Sequence, residues 1–396
     1  MRYASRLSRL GTETAFDVLD QVKALEAQGE SIISFALGEP DFDTPTNIRE
    51  AAKQALDEGK THYSPSAGLP ELRERLAAYM ERTRGVPVSP AEIVVTPGAK
   101  KIILDTMLAC VNEGERVLYP SPGYPIYESI ASFIGADACP VPMDPDTGFG
   151  FNLDELRRLI TPNTRLLVLN SPQNPTGGVL EAREIEVIAK LTVEHDLWVL
   201  SDEIYSRLCY DGEALSPASI PGLKERVIVL DGASKTYAMT GWRVGWAMCN
   251  SELAQQLAKL VTNADSCAST FSQWATLEAL DGPQEEADYM RQEFEARREL
   301  IVAGLNSIEG IQCQSPKGAF YVFPEVTDAC RAKGFRSSRE LQNYLLFEGK
   351  VAVLHRECFG RKLPGESREF IRLSYATSRQ QIEAGLERIE RALRRR

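Results

Sequence analysis

The chain has few of the side chains that bind zinc or form disulfides. Its 396 residues include only three histidines, which are far apart in the sequence. The eight cysteines are scattered, and no two of them form a CxxC pair. Several lie in apolar segments, where a reduced thiol in the core is the usual state. We therefore predict no metal site and no disulfide framework.

The chain also lacks a long apolar segment and an excess of positive charge. No apolar run approaches the ~20 residues that span a bilayer, and residues 1–13 contain no hydrophobic signal core. Lysine and arginine number 45 against 56 aspartates and glutamates, a formal net charge of −11, whereas binding a phosphate backbone usually requires a basic surface. We therefore expect a cytoplasmic protein that binds neither membranes nor nucleic acid.

The central part of the chain alternates apolar, β-rich segments with helical ones. Helical patterns include Leu153–Ile160 and Glu181–Glu194. The predicted strands are apolar on both faces, which is typical of a mostly parallel sheet covered by helices. In chain order they are EIVVTPG, ERVLYPSP, TRLLVLNSP, LWVLSDE and RVIVLDGASK. The pattern predicts a three-layer α/β/α domain.

The two ends of the chain follow a different pattern. The final third begins with a long charged helix, Gln284–Ile308, followed by the strand-like segments GAFYVFPEV, VAVLH and EFIRLSYA. The first 40 residues contain one predicted helix, Ala15–Gln28, and a strand-like SIISFALG, which are too little to fold alone. We predict a large domain at residues 46–284, and a smaller α+β domain formed by residues 1–45 and 285–396.

Polar residues cluster at the ends of the predicted strands. In open α/β sheets, ligands bind at the carboxyl ends of the strands, so one pocket can contain all of these residues. They are Gly98, Ala99, Lys100, Tyr124, Asn174, Asp202, Tyr205, Ser234 and Lys235.

Lys235 is the candidate nucleophile of this set. A lysine in a loop is most often a solvated surface charge. Lys235, however, follows an apolar strand and a Gly-Ala-Ser turn and precedes the apolar segment TYAMTGWRVGW. Desolvation there would lower the pKa of its amine and favour imine formation. Asp202, at the end of LWVLSD, is either a helix N-cap or a partner for a protonated ring nitrogen.

Six segments carry a family resemblance. In chain order they are LGEPDFDTP, HYSPSAGLPELR, SPQNPTGG, LSDEIYSRLCYDG, SKTYAMTGWRVGW and FIRLSYATS. Together they resemble the fold-type I aminotransferases that depend on pyridoxal 5′-phosphate (PLP), of class I, gamma branch, which includes prokaryotic aspartate aminotransferases. The resemblance implies a PLP-transferase fold. It also implies ping-pong transfer of the amino group of an L-α-amino acid to a 2-oxo acid.

The resemblance implies specific roles around the cofactor ring. Lys235 would hold PLP as a Schiff base and move a proton between substrate and cofactor. Asp202 would keep the pyridine nitrogen protonated. Tyr205 and Asn174 would hydrogen-bond the phenolic oxygen of the cofactor. Tyr124 would stack on the ring, the alternative being an ordinary core aromatic.

The resemblance also implies a phosphate subsite. The backbone of Gly98 and Ala99, at the start of a helix, would bind the anion with Ser234 and Arg243. Arg243 is otherwise a surface ion pair. Tyr63 resembles a tyrosine that reaches the phosphate from the neighbouring subunit, and it therefore implies a homodimer.

The substrate would be bound by Arg372, Gly38 and Asn174. Arg372 would hold the α-carboxylate in a planar bidentate pair, the alternative being a partly exposed strand arginine. Gly38 would let the backbone approach that carboxylate closely. Lys100, grouped here with the cofactor-binding residues, matches a lysine that in some relatives recognises the distal carboxylate of dicarboxylic substrates.

The sequence departs from the family pattern at several positions. Gly232 stands where many relatives have a hydroxyl residue, and Tyr124 stands where the well-known aspartate enzymes have tryptophan. The segment Thr12–Leu19 does not match the aspartate enzymes, and Asp17 adds a negative charge there. Aspartate with 2-oxoglutarate is therefore one of several possible substrate pairs. Besides Lys100, the loops expected to set specificity are Ala15–Val18 and Ser266–Phe271.

Two alternatives to amino transfer are open at this point. Lys235, Asp202 and Arg243 are common to PLP enzymes that catalyse β-elimination, decarboxylation, cyclisation or oxidation of amino acids. A non-catalytic ligand-sensing domain is the other alternative, although the chain shows no helix-turn-helix or basic segment.

Overall fold

The computed structural model describes residues 2–11 and 14–394. Its helices are α1 (Thr14–Ala27), α2 (Thr46–Asp57), α3 (Pro70–Arg84), α4 (Lys100–Cys110), α5 (Ile126–Phe133), α6 (Leu153–Leu159), α7 (Ala182–Glu194), α8 (Ala233–Thr236), α9 (Ser251–Ala264), α10 (Thr270–Asp281), α11 (Glu285–Asn306), α12 (Thr327–Lys333), α13 (Ser338–Tyr344) and α14 (Arg379–Arg394). Its strands are β1 (Ile33–Ser34), β2 (Ile93–Thr96), β3 (Arg116–Ser121), β4 (Asp137–Asp144), β5 (Gly150–Phe151), β6 (Thr164–Asn170), β7 (Trp198–Asp202), β8 (Val227–Gly232), β9 (Gly245–Met248), β10 (Tyr321–Val322), β11 (Val351–Ala352), β12 (Leu354–His355) and β13 (Ile371–Ser374).

An eight-stranded sheet forms the centre of the molecule, in the order β2-β9-β8-β7-β6-β3-β4-β5. The neighbouring pairs from β8 to β4 are parallel, whereas β9 is antiparallel to both of its neighbours and β5 is antiparallel to β4. The middle of β6 is fully buried at every residue, as expected of a strand covered on both faces. The prediction of a mostly parallel α/β sheet is confirmed.

All five predicted strands are present, as β2, β3, β6, β7 and β8, but three further strands were not predicted from the sequence. β4 has the sequence DACPVPMD, in which two prolines and the terminal aspartates hide the strand pattern. β9 lies within GWRVGWAMC, which was interpreted only as the apolar surroundings of Lys235. β5 is two residues long.

Helices pack along the whole width of this sheet. α3 and α9 contact β2, α4 contacts β6, β7 and β8, and α5 and α6 contact β4. α3 begins with Pro70 at its first turn and ends before Gly85, which adopts the left-handed conformation at φ 66°. This ending places Arg84, the last residue of α3, against the sheet.

The N-terminal and C-terminal segments meet in two smaller sheets. β1 pairs in parallel with β11, and β13 lies between β10 and β12 in an antiparallel sheet. The predicted charged helix is α11, which packs against α14. The predicted N-terminal helix is α1. We propose that these segments form the smaller domain, with its boundaries after residues 45 and 284.

Within the described ranges, the structure contains no helix both long and apolar enough to cross a membrane. All eight cysteines are free thiols.

Candidate active site

A cavity of about 520 Å³ lies where the parallel strands end. Asp202, the last residue of β7, is in register with Asn170 of β6 and Leu230 of β8, so three strand ends meet there. Most of the candidate residues line this cavity: Gly38, Ala99, Lys100, Tyr124, Asn174, Asp202, Tyr205, Ser234, Lys235, Arg243 and Arg372. The two others, Gly98 and Tyr63, do not line it.

Lys235 extends from α8, the short helix that follows β8. Its Nζ donates a hydrogen bond of 2.6 Å to the backbone carbonyl of Gly38. The same Nζ lies 6.0 Å from the ring centroid of Tyr205 and 5.6 Å from that of Phe320. Lys235 is half-buried and lines the cavity, so it is not the solvated surface lysine of the alternative interpretation.

Asp202 is a buried carboxylate at the base of the cavity. Its Oδ2 accepts a hydrogen bond of 2.6 Å from the hydroxyl of Tyr127, and its Oδ1 accepts one of 3.3 Å from the N–H of Ile204. Burial raises the pKa of Asp202 to about 6, although both hydrogen bonds act in the opposite direction. No helix of the described chain begins directly after Asp202, so the helix-cap interpretation is wrong.

Arg372 lies on β13 with its side chain turned into the cavity. Its Nη1 donates to Oδ1 of Asn174 at 3.0 Å, and its Nη2 donates to the carbonyl of Ala36. The Nε is buried and has no hydrogen-bond partner within the part of the chain that the structure describes. Since only 4% of Arg372 is exposed, the alternative of a partly exposed strand arginine is wrong.

Aromatic rings hold this arginine in place. The guanidinium carbon of Arg372 lies 4.5 Å from the ring centroid of Tyr321 and 5.0 Å from that of Phe359. The hydroxyl of Tyr321 is 2.8 Å from the hydroxyl of Tyr205. A Cβ on Gly38 would lie 2.1 Å from the Tyr321 hydroxyl, so only glycine at position 38 leaves room for the Tyr321 side chain.

The turn before α4 packs against the side chain of Arg243. Gly98 precedes this helix with φ +86°, and a Cβ on it would lie 2.2 Å from Nη2 of Arg243. Arg243 itself adopts a left-handed conformation at φ 57°, and its Nη1 donates to the carbonyl of Thr240 at 2.8 Å. Ala99 and Ser234 line the cavity next to it. Backbone N–H groups and a cation at a helix start are what an anion requires.

Lys100 and Tyr124 lie at the outer part of the cavity. The Nζ of Lys100 is 5.7 Å from the ring centroid of Tyr124, whose ring makes an edge contact of 5.6 Å with Tyr127. Tyr124 is half-buried and faces the cavity, and it is therefore not a core aromatic. Lys100 is exposed, and the apolar residues that line the cavity include Ala15, Phe16, Leu19, Leu37, Ile103, Leu354 and Phe359.

Of the segments expected to set specificity, Ala15–Val18 contributes Ala15 and Phe16 to the cavity, which Lys100 also lines. Ala15–Val18 is part of α1 and not a loop. Asp17 is exposed on this helix and does not line the cavity. Thr12 and Glu13, at the start of the mismatched segment, lie outside the described residues. Ser266–Phe271 contributes to a separate open groove that shares Arg243 with the cavity.

Sequence reasoning missed two functional candidates, Tyr127 and Tyr321. Tyr127 follows Tyr124 by three residues, which is the spacing of one helix face, and α5 begins between them at Ile126. Tyr321 belongs to GAFYVFPEV, where the strand pattern was recognised without a role for the tyrosine. Its pairing with Ser374 of β13 places it close to Arg372.

Residues 30–389 match the family described as aminotransferase class I and II. The probable aspartate/prephenate aminotransferase of Aquifex aeolicus is 40% identical over 394 residues, which cover 98% of each chain. The aromatic-amino-acid aminotransferase 2 of Thermococcus litoralis is 40% identical over 373 residues and 93% of each chain. The solved structure of Thermus thermophilus aspartate aminotransferase with maleate superposes with a TM-score of 0.92 at 37% identity, over 99% of this chain and 100% of that chain.

Proposed function

Because the chain belongs to the class I and II aminotransferase family, it is a PLP-dependent transaminase, and we propose that Lys235, Asp202 and Arg372 form its catalytic centre. The observation that supports this best is their arrangement. A lysine amine, a buried carboxylate and a buried arginine line one cavity at the ends of three parallel strands. We propose a ping-pong reaction, in which an L-α-amino acid and a 2-oxo acid use this cavity in turn.

The side chains of the cavity fit PLP. Because Gly98 has no Cβ, the guanidinium of Arg243 can pack against it at the start of α4. A cation beside the start of a helix is a suitable place for a phosphate. Asp202 offers an anion for the ring nitrogen, and Tyr205 offers a hydroxyl for the phenolic oxygen. Lys235 is the amine that an aldehyde requires. The side chains of the cavity therefore complement the phosphate, the ring nitrogen, the phenolic oxygen and the aldehyde of the cofactor.

Each residue has a distinct task in the reaction. PLP, when bound, withdraws electrons from the α-carbon of the substrate and carries the amino group between the two substrates. Lys235 holds the cofactor and moves the proton at the α-carbon, starting from its hydrogen bond to the Gly38 carbonyl. Asp202, oriented by Tyr127, stabilises positive charge on the ring nitrogen. Asn174 orients Arg372 by accepting its Nη1–H.

Arg372 serves both half-reactions because both substrates carry an α-carboxylate. Its Nε has no hydrogen-bond partner among the described residues, and together with the neighbouring Nη it forms the planar fork with which a guanidinium binds a carboxylate bidentately. The rings of Tyr321 and Phe359 fix this plane, so little side-chain entropy is lost when a substrate binds.

Product stoichiometry tests the reaction class. With L-aspartate and 2-oxoglutarate, the purified enzyme should form one oxaloacetate for each glutamate, without ammonia or carbon dioxide. Double-reciprocal plots at several 2-oxoglutarate concentrations should be parallel. Release of ammonia or carbon dioxide in place of a new amino acid would favour elimination or decarboxylation and contradict the proposal.

For the substrate, we propose a dicarboxylic amino acid whose distal carboxylate is bound by Lys100. The other cations that line the cavity, Lys235, Arg243 and Arg372, already have tasks in the proposed mechanism. Asp17, which would oppose a second carboxylate, does not line the cavity. The apolar residues that line the cavity equally support an aromatic amino acid as an additional substrate, and relatives are named for both classes.

Substituting Lys100 by methionine should separate the two substrate classes. We expect kcat/KM for aspartate to fall about 10-fold, because the distal carboxylate loses a charged partner, while that for phenylalanine changes less than about 3-fold. Lys100→Arg, which keeps the charge, is the matched control and should retain most of the aspartate activity. An equal loss for both amino acids would show that Lys100 does not select the substrate.

We also propose that the enzyme is a homodimer. Tyr63 is 87% exposed and lies outside the cavity of its own chain. The exposed Arg243 lies between the cavity and an open groove that Trp242, Cys267 and Phe271 help to line. A second copy on this face would cover the groove and bring its tyrosine near the phosphate subsite. The eight free thiols support a reducing, cytoplasmic location.

Light scattering tests the dimer. The purified protein should have about twice the 43.9 kDa mass of one chain. Tyr63→Phe should weaken PLP binding about 10-fold without changing that mass, since it removes one hydrogen bond to an anion. A fully active monomer would contradict the proposed shared site.

A further inference from the structure

A buried charged triad lies behind the cavity. It consists of Arg84, at the end of α3, Glu203, directly after β7, and Asp231, in β8. The Nε of Arg84 donates to Glu203 Oε2 at 2.7 Å, and its Nη2 donates to Asp231 Oδ2 at 2.6 Å. The side chains of all three are at most 4% exposed, and none of them lines the cavity.

Hydrogen bonds fix the triad from every side. Nη2 of Arg84 also donates to Ser206 at 2.8 Å, and Oε1 of Glu203 accepts from Ser201 and Ser216 at 2.8 and 2.7 Å. Oδ1 of Asp231 accepts from the N–H of Gly232 at 2.7 Å. Such a network is far more ordered than a surface ion pair, because each buried charge has a fixed partner.

The triad is directly connected to the two residues that hold the cofactor in the proposed mechanism. Glu203 is the neighbour of Asp202 in the chain, and its N–H donates to the carbonyl of Leu230 at 2.9 Å. Asp231 precedes Lys235 by four residues on the same strand-to-helix connection. Arg84 thus fastens the end of β7 to the end of β8.

Two negative charges, those of Glu203 and Asp231, lie near Asp202, and Arg84 is paired with both of them. The titratable or charged groups that face Asp202 are Tyr127 of α5, Tyr205 and Glu203 after β7, Asp231 of β8 and, lining the same cavity, Lys235 of α8. The negative charges of Asp231 and Glu203 act to raise the pKa of Asp202, in addition to its burial. Arg84 is the cation paired with both of these carboxylates.

We infer that Arg84 is a positioning residue for the cofactor site: by pairing with Glu203 and Asp231 behind the sheet edge, it offsets part of their negative charge and so helps to keep Asp202 ionised without touching the cavity. This inference rests on the proposed function, in which ionised Asp202 binds the ring nitrogen of PLP. Well above pH 6 the triad has one positive and two negative charges, and because burial also raises the pKa of Asp231 to about 6, the charge of the triad and that of Asp202 change over the same pH range. Changing the charge of the triad should therefore change the pH at which Asp202 loses its charge.

Three single variants vary the charge of the triad. Arg84→Gln removes the positive charge and leaves two negative charges. Asp231→Asn leaves one charge of each sign. Arg84→Lys keeps the original charges but cannot reproduce the fork of the guanidinium, and it is the matched control for geometry.

The measurement is the retention of PLP by the loaded holoenzyme in equilibrium dialysis between about pH 4.5 and pH 8. The same cofactor is bound in all four proteins, whose cavity residues are identical, so differences between their midpoints report the changed charges of the triad. Relative to wild type, we expect the acid midpoint to move up by about 0.5 pH unit or more in Arg84→Gln and down by a similar amount in Asp231→Asn. In Arg84→Lys the acid midpoint should stay near the wild-type value. The thermal midpoint of this variant should fall, because lysine cannot reproduce the hydrogen bonds of the guanidinium fork.

A merely structural role would lower the thermal midpoint of all three variants and leave the acid midpoint unchanged. That result, or the absence of an acid midpoint in all four proteins, would overturn the inference. If Arg84→Gln does not fold, the downward shift in Asp231→Asn decides alone. The inference about Arg84 can fail while the proposed function holds. Failure of the proposed function would appear in a different experiment, as turnover that does not need Lys235.

Discussion

Lys235→Ala is expected to lose at least about 10⁴-fold in the rate of amino transfer. The amine that this change removes lies 2.6 Å from the Gly38 carbonyl, at the mouth of the α-carboxylate site. Lys100 also lines the cavity, but it extends from a different element, and its Nζ lies 5.7 Å from the ring centroid of Tyr124. We therefore expect no other lysine to take over the reaction.

Two controls accompany this variant. Lys53→Ala removes an exposed lysine on α2 and should be fully active. Borohydride treatment of the PLP-loaded protein, followed by mass spectrometry, should fix the cofactor to wild type and not to Lys235→Ala. Unchanged turnover in Lys235→Ala would refute the proposed mechanism.

Asp202→Asn is expected to lower kcat about 10³-fold. The amide has the shape of the carboxylate but no charge, so it cannot stabilise positive charge on the ring nitrogen. Tyr127→Phe is the matched comparison, because it removes one hydrogen bond to Asp202 and keeps the charge; its kcat should fall about 10-fold at most. If Asp202→Asn were no worse than Tyr127→Phe, the charge of Asp202 would not be what the reaction uses.

The pKa of Asp202 links this prediction to pH. Burial raises that pKa to about 6, so PLP binding should weaken as the pH falls through that value. A folded-state pKa above the unfolded value of about 3.9 favours folding below pH 4, and this contribution is lost as the pH rises through 6. The thermal midpoint of the PLP-free enzyme should therefore fall over this range by more than that of Asp202→Asn, and PLP should offset the difference.

The sequence predicted the part of the site that lies at the ends of the parallel strands. Asn174, Asp202 and Lys235 each follow an apolar run, and strand ends meet at one edge of a sheet whatever the helices do. The long strands themselves were recognised because their apolar runs are uninterrupted. β4 and β9 were missed because prolines and glycines interrupt their patterns.

Partners that come from distant segments could not be predicted in this way. Tyr321 reaches Tyr205 across 116 residues of chain, and Arg84 reaches Asp231 across 147. Nothing in the local pattern of GAFYV or ERTRG distinguishes these residues from ordinary core or surface positions. Their importance comes from tertiary contacts with residues whose own roles were recognised.

The side-chain subsite shows the same limit most clearly. Phe16 of α1, Leu37 after β1 and Ile103 of α4 line the same cavity as Lys100. These residues are separated widely in the sequence, and no motif joins them. The choice between acidic and aromatic substrates therefore depends on the three-dimensional wall and not on the segments that identify the family.

The visible absorption spectrum of the PLP-loaded enzyme, recorded before and after adding L-aspartate alone, tests the central claim most directly. We predict that the yellow band of the bound cofactor is lost while its amino form and one equivalent of oxaloacetate appear, and that 2-oxoglutarate then restores the band. The same mixing with L-phenylalanine shows whether the apolar wall admits a second class of donor. A band that no L-amino acid converts, or that converts with release of ammonia, would contradict an amino-transfer reaction at this site.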